Sequence, residues 1–468
     1  MSSISQLLKE NNPHEDILTI AGGLGDKENI PTYIVGGYVR DTLLGKSCQD
    51  IDIMVEGDGV AFAKLLASEL KVNVTVDYDK FGTALIPYPN VDIEVATARK
   101  EKYQSDSRKP EITSSTVEED MSRRDFTINA IAASLIPSSF GELYDPFGGI
   151  KDLQKGLLIT PLDPDETFSD DPLRMLRAVR FSAQLQYEIA AATLDSISRN
   201  IHRLEIVSWE RIRDEIIKSL TTEKPSIAFY LMKETGLLTH VFPEMDIMSG
   251  VEIINGMGHK DVFTHTLQVV DNVAKLTDKM DVRFAALVHD IAKPSTKKFE
   301  PKKGWTFHGH DEIGRRMLKK VARRMKLSNN LRDYLMLLTK LHLRPIALAK
   351  KEITDSAIRR VMAEAGEHVD DLMMLCRADI TTKDPKRVKK YMGNFERVET
   401  LMQDVKLRDE MRKFQSPVRG EEIMEIFKLK PGRQVGEIKE AIEEAILDGE
   451  IENDYEAAYK FMMEMEIT

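Results

Sequence analysis

The sequence predicts an α+β protein, with a mixed sheet and helices in its first third and helices alone after that. Three observations carry this. Tyr33-Ile34-Val35 is a short β-prone run, and period-two alternation recurs at 50–55, 72–76, 83–86 and 91–95. Turn chemistry at Tyr144-Asp145-Pro146-Phe147-Gly148-Gly149-Ile150 closes that region. From about residue 157 the strand pattern gives way to helical spacing. At 468 residues, 42% of them hydrophobic, the chain can bury several cores. The expected divisions are 1–156, 157–250, 251–391 and 392–468.

Composition narrows the function classes. A net charge of −11 argues against a uniformly basic nucleic-acid binder, but the charge is unevenly spread. Residues 292–326 hold 12 Lys/Arg against 3 Asp/Glu, while 440–468 hold 1 against 10. Two cysteines give no disulfide framework and suit a reducing compartment. No apolar run reaches membrane-spanning length, and MSSISQLLKENNPHED has no signal-like apolar segment. The expectation is a cytoplasmic protein with no membrane contact.

In chain order, short helices are expected around 4–8 and 17–24. Tyr33-Ile34-Val35 then forms a strand ended by Gly36-Gly37, whose missing Cβ lets backbone approach a ligand. N–H groups at the following helix start suit an anion. Arg40, one turn in, can add full charge to a phosphate. After Leu43-Leu44-Gly45 comes Asp50-Ile51-Asp52-Ile53, in which both acids share one face. Adjacent carboxylates on a strand need a cation between them, and Mg2+ holding a triphosphate fits. The plainer reading is an exposed edge strand. A helix over 60–69 and strands to 95 follow, with Asp92 and Glu94 on one face of the last. Glu94 is either a third carboxylate of the site or a structural strand acid.

The run GG-x-x-RD-x-LLG followed by D-x-D, from Gly36 to Asp52, resembles the first motif of the class II tRNA nucleotidyltransferase/poly(A) polymerase family. The resemblance implies a polymerase-β-type nucleotidyltransferase head, with Asp50 and Asp52 holding Mg2+. The family's V-x-x-A-R element places an acid where Glu94 stands. Residues 99–121 are polar and lack periodicity, so a loop is expected. In the family a flexible loop here helps the site accept ATP after CTP.

Arg123-Arg124-Asp125-Phe126-Thr127-Ile128-Asn129-Ala130 matches the family's RRDFTINA motif in full. The arginines offer charge to a triphosphate, and Asp125 can accept from a ribose hydroxyl or cap a helix. Asn129 belongs to the same motif. A helix over 170–181 carries Asp170, Asp171, Arg174 and Arg177. At i, i+3, Asp171 and Arg174 make either a surface ion pair or a reader of bases. A carboxylate accepts from the amine of C or A, and a guanidinium donates to the neighbouring acceptor. The family's E/D-D-x-x-R template motif matches Asp170, Asp171 and Arg174. Residues 209–215 read as structural.

Ala285-Ala286-Leu287-Val288-His289-Asp290-Ile291 is an apolar helix carrying an adjacent His-Asp pair, which needs partners. With His265 and Asp379 it resembles the HD phosphohydrolase superfamily, implying a divalent metal on His265, His289, Asp290 and Asp379. His308, His310 and His342 complete or flank that site. The alternative is a degenerate domain with satisfied core histidines. The basic runs 314–326 and 383–391 are candidate contacts for an RNA backbone. Lys430-Pro431-Gly432-Arg433-Gln434-Val435-Gly436 resembles an element of the family's tRNA-binding tail. The whole pattern implies transfer of CMP, CMP and AMP from CTP and ATP to the tRNA 3′ end, through head, all-α neck, HD body and tail. Rivals are poly(A) synthesis, addition of CC or A alone, and an HD phosphohydrolase with an inactive head.

Overall fold

The structure, a computed structural model, describes residues 3–10, 12–48, 50–73, 76–78, 82–104, 107–348, 354–413, 416–447 and 450–465. The side chains of 76–78, 101–112, 408–413 and 447 stand outside that description. The chain divides into two compact units, Met1–His342 with Asp370–Thr381, and Leu343–Val369 with Thr382–Thr468.

The first unit opens with the helices Ser5–Lys9 and Glu15–Glu28 and then nine strands in order. They are β1 (Thr32–Val35), β2 (Asp50–Val55), β3 (Val76–Tyr78), β4 (Thr83–Tyr88), β5 (Val91–Thr97), β6 (Arg99–Gln104), β7 (Ser107–Ser114), β8 (Ala132–Ser134) and β9 (Leu143–Tyr144). Among the described residues, seven make one sheet in the order β3-β4-β5-β2-β1-β8-β9. β2 and β5 run parallel, with Asp50 opposite Asp92 and Asp52 opposite Glu94; the other neighbours are antiparallel. Ile51, Ile53 and Ile93 are fully buried in one cluster with Leu18, Phe62 and Leu66 of the helices Glu15–Glu28 and Gly59–Glu69. Each such side chain contributes about 1.5–3 kcal/mol. A one-residue slip of β2 would drive its acids into that core, so alternation fixes the register.

Beyond the sheet, an apolar cluster runs from Phe126 through Phe168, Phe229 and Phe284 to Ala378 and unites the helices of this unit. Four expectations need correcting. Residues 99–114 form the antiparallel hairpin β6–β7 in place of a loop, though 105–106 lie outside the described residues. Of the expected strand 72–76, residues 74–75 also lie outside, and the strand starts at Val76. The helix expected over 170–181 is two, Pro164–Asp170 and Leu173–Leu185, because Pro172 pushes Asp171 out of the helical region to φ −130°, ψ 98°. Strands also recur after 157, in the parallel pair Leu157–Leu158 with Glu188–Ile189 and in the hairpins Ile253–Ile254 with Met257–Gly258 and Lys298–Glu300 with Gly304–Thr306.

The second unit is helical in its described residues. The helices Gly420–Phe427, Arg433–Leu447 and Tyr455–Glu464 pack Val418, Ile423, Ile438, Ile442 and Met462 together. No helix among the described residues is long and apolar enough to cross a membrane.

Candidate active site and metal centre

A cavity of about 530 Å³ opens over the sheet, lined by Gly36, Gly37, Arg40, Asp52, Glu94, Arg123, Arg124, Asp125, Asn129, Asp171, Arg174, Arg177, Arg180, Phe181 and Arg211 among others. The strand pairing sets Asp52 beside Glu94, and Asp50 lies two residues along on the same face, exposed at the start of β2. Burial raises the Asp52 carboxyl to about 6; Arg124 opposes this, and Glu94 and Asp50 add to it. Gly36 sits at φ +67°, and a Cβ there would lie 2.7 Å from Arg124 Nη1 and 3.7 Å from Asp52 Oδ2. The left-handed conformation therefore favours glycine, and a side chain there would also displace the Arg124 guanidinium.

The arginines are held by acids of their own chain. Asp120, buried, accepts from Arg123 Nη2 at 2.5 Å, from Arg124 Nη2 at 3.2 Å and from the Arg99 amide at 3.3 Å. Arg40 donates to Asn129 Oδ1 at 2.7 Å and to Asp41, and Asn129 donates to Asp125 at 3.0 Å. Asp125 also accepts from Arg177 Nε at 2.7 Å and from the Phe126 amide at 2.9 Å. Burial alone would raise the Asp125 carboxyl; Arg177 and Asn129 more than reverse that and hold it at about 2. Arg40, Arg177 and Arg180 stand 5.3, 5.3 and 4.1 Å from the Phe181 ring. Arg180 is fixed by buried Glu215 at 2.6 Å.

Asp171 accepts from the Leu173 amide at 3.2 Å and pairs with Arg211 Nη2 at 3.2 Å. Arg174 is buried and donates to the Thr167 and Arg123 carbonyls. Asp170 ends its helix half-buried and does not line the cavity.

A second cluster lies in the helical part of the same unit. His265 (on Val262–Ala274), His289 and Asp290 (after Met280–Val288), His310 (first residue of His310–Arg324), His342 (after Asn329–Leu341) and Asp379 (after Val369–Ala378) converge. His265 Nε2 lies 2.9 Å from Asp379 Oδ1, and His289 Nε2 lies 3.2 Å from Asp290 Oδ2. Among the described residues, His289 Nε2 and Asp290 Oδ1, both buried, have no hydrogen-bond partner, which a cation would supply. Burial opposes protonation of His289, yet the neighbouring carboxylates of Asp290 and Asp379 more than reverse that and raise its pKa. His308 is not brought in: its side chain is 80% exposed, near Glu300.

The Poly A polymerase head domain family matches residues 32–159, the probable RNA- and SrmB-binding site of polymerase A matches 186–248, and the HD domain matches 262–381. The Multifunctional CCA protein of Nitrosospira multiformis is 32% identical over 368 residues, 74% of this chain and 82% of the relative. The chain belongs to the tRNA nucleotidyltransferase/poly(A) polymerase family. The A-adding tRNA nucleotidyltransferase of Geobacter sulfurreducens is 34% identical over 275 residues, 58% of this chain and 29% of that relative. A solved apo CCA-adding enzyme shares the fold with a TM-score of 0.61 and 26% identity, covering 98% of each chain.

As a member of the nucleotidyltransferase family, the chain is an enzyme, and both that family and the HD family are metal-dependent. Sequence reasoning passed over Asp120, Arg180, Phe181, Arg211 and Glu215. Arg211 and Glu215 lie in the 209–215 segment expected to be structural, and Phe181 lines the cavity while also belonging to the buried apolar cluster. The spacing Arg174, Arg177, Phe181 (i, i+3, i+7) was the available signal that one helix face lines the cavity.

Proposed function

We propose that the protein adds C, C and A, taken from CTP and ATP, to the 3′ end of tRNA without a nucleic-acid template. The observation that carries this is one arginine-walled cavity whose lining includes Asp52 and Glu94 as well as Asp171 and Arg174. The names of the relatives agree with it. Asp50 and Asp52, with Glu94 beside them, would hold Mg2+; their clustered charge and the raised Asp52 carboxyl fit a cation. Bound there, Mg2+ supplies Lewis-acid stabilisation of the charge developing on the triphosphate. The chain's own residues do the rest. Gly36 keeps the backbone low under the phosphates, while Arg123 and Arg124, aimed by Asp120, offer them positive charge. Asp171 can accept from the exocyclic amine of C or A, and Arg174, anchored by two carbonyls, keeps N–H bonds for the adjoining acceptor. G and U present a carbonyl to Asp171 and are repelled. A ribose hydroxyl reaching Asp125 would replace one of the bonds from Asn129 or Arg177. The two free cysteines fit a cytoplasmic setting.

Incubating the protein with tRNA lacking its last three nucleotides, with CTP and ATP separately and together, tests this. Product ends reading CCA are expected. Ends reading A alone, CC alone or a long A tract would reassign the activity within the family.

The unpartnered atoms of His289 and Asp290 support a second activity. His265, His289, Asp290 and Asp379 would hold a divalent metal, which when bound supplies Lewis acidity for hydrolysing a phosphomonoester or cyclic phosphodiester. Lys293, 2.5 Å from Asp290 Oδ2, steadies that carboxylate.

A further inference from the structure

We propose that Arg180 and Gln184 form a subsite for the RNA strand, gripping the phosphodiester next to the 3′-hydroxyl that receives each nucleotide. This rests on the reading of the protein as a tRNA end-adding enzyme and deepens it. Addition needs two substrates in one cavity, and the groups already assigned serve only the incoming nucleotide. Asp171 and Arg174 take its base, while Gly36, Arg123 and Arg124 take its triphosphate. Arg180 is left over, although it lines the same cavity and is only 7% exposed. Its Nε donates to Glu215 at 2.6 Å and its Nη1 to Gln184 Oε1 at 2.7 Å, with the guanidinium 4.1 Å from the Phe181 ring. Nη2 makes no hydrogen bond among the described residues and is not enclosed in the core.

The neighbouring arginines are more fully engaged. Arg40 uses all three of its nitrogens on Asp41 and Asn129, and Arg177 uses two on Asp125. Gln184, an exposed residue of the cavity lining, must turn its oxygen to Arg180, because a guanidinium only donates. Its NH2 group therefore stays available beside Arg180. Two adjacent donors, one of them fully charged, match two oxygens of a phosphodiester. Buried Glu215 fixes the guanidinium before any RNA arrives. Position agrees with this role. Arg180 stands six residues beyond Arg174, about 9 Å along the helix axis. A base read at Arg174 does not extend that far, whereas the backbone of a second nucleotide can. Arg180 and Glu215 belong to the helices Leu173–Leu185 and Trp209–Leu220, while the metal carboxylates and Arg124 gather around Gly36, β2 and β5. Mg2+ and its triphosphate are thus held at the sheet, apart from Arg180.

The test is steady-state addition of AMP to tRNA ending in CC by the full chain, with tRNA and ATP varied separately at several salt concentrations. Arg180→Gln is paired with Glu215→Gln so that no buried carboxylate is left alone. KM for tRNA should rise at least about tenfold, the loss of a hydrogen bond from a charged donor. KM for ATP should stay within a factor of about two, and the dependence of log KM for tRNA on log salt should flatten by about 0.7, one single-strand phosphate contact. Gln184→Glu, at an exposed position, should raise KM for tRNA in the same selective way by placing a negative charge beside the phosphodiester. If the double variant does not fold, Gln184→Glu decides alone. A rise for ATP alone, or an equal rise for both substrates, would overturn the subsite by giving Arg180 to the triphosphate. Unchanged constants would overturn it by leaving Arg180 a structural ion pair. A parent that adds nothing to any tRNA end would remove the proposed function itself, and the subsite with it.

Discussion

Desolvation beneath the cavity lifts the Asp52 carboxyl from its ordinary 3.8 to about 6, against the pull of Arg124. An acid raised in the folded state favours folding while protonated. That contribution is fully present below 3.8 and is lost as pH climbs through about 6. At pH 8 the ionised group therefore opposes the fold by about 2–3 kcal/mol, an order-of-magnitude figure. Asp52→Asn should unfold at a higher temperature than the parent at pH 8, with little difference at pH 4. Mg2+ should raise the melting temperature of the parent more than that of the variant, which keeps the His/Asp cluster, while nucleotide addition disappears from the variant. Thermal unfolding at both pH values, with and without Mg2+, checks this; a variant less stable at pH 8 would contradict it. The placement of Asp50 and Asp52 on one strand face was legible because alternation fixes it, with glycine and arginine close by in sequence. Asp120 was not, since its grip on Arg123, Arg124 and Arg99 cannot be told by spacing from an ordinary acid in a helix first turn.

Among the elements, Leu173–Leu185 joins sequence-distant parts of the cavity: Arg174 bonds the Arg123 carbonyl, Arg177 bonds Asp125, and Arg180 bonds Glu215. Its face is legible in the apolar spacing, whereas its start is set by the effect of Pro172 on Asp171. That break takes Asp171 out of the helix and leaves it to Arg211, a pairing across 40 residues that no periodicity reports. The hairpin at Ile253–Gly258 was missed although its signal was present: Asn255 and Gly256, at φ 53° and 74°, make the turn that Asn-Gly favours between apolar residues. The hairpin β6–β7 was hidden for the opposite reason, a polar sequence without an apolar face. If Arg174 reads the base, Arg174→Ala should lower the preference for CTP and ATP over UTP and GTP by tenfold or more, since a good bidentate contact discriminates by about 1–3 kcal/mol. Triphosphate KM should move less, because Arg123 and Arg124 remain. Competition between labelled triphosphates measures the ratio, and an unchanged ratio would reject the reader's role.

At the scale of the whole molecule, the arginine-walled cavity and the His/Asp cluster share no lining residue among those described, although one apolar cluster extends from Phe126 beside the cavity to Ala378 beside Asp379. A net charge of −11 hides both sites, because the arginines of the first are spread from Arg40 to Arg211 and are matched locally by Asp120, Asp125, Asp171 and Glu215. Composition could not reveal an arginine wall whose counter-charges are buried beside it. Because the ligand sets are disjoint, single substitutions should separate the two chemistries. Asp52→Ala should abolish nucleotide addition and leave hydrolysis of a phosphomonoester or cyclic phosphodiester at its parental rate. His289→Ala should remove hydrolysis and leave tRNA end addition within a factor of about two, its cost confined to stability, since truncating a buried group typically takes a few kcal/mol. Both assays on both variants, with circular dichroism to show that each is folded, make the comparison. Loss of both activities from either substitution in a folded protein would mean that the shared core couples the sites, and the picture of two independent centres in one unit would have to be given up.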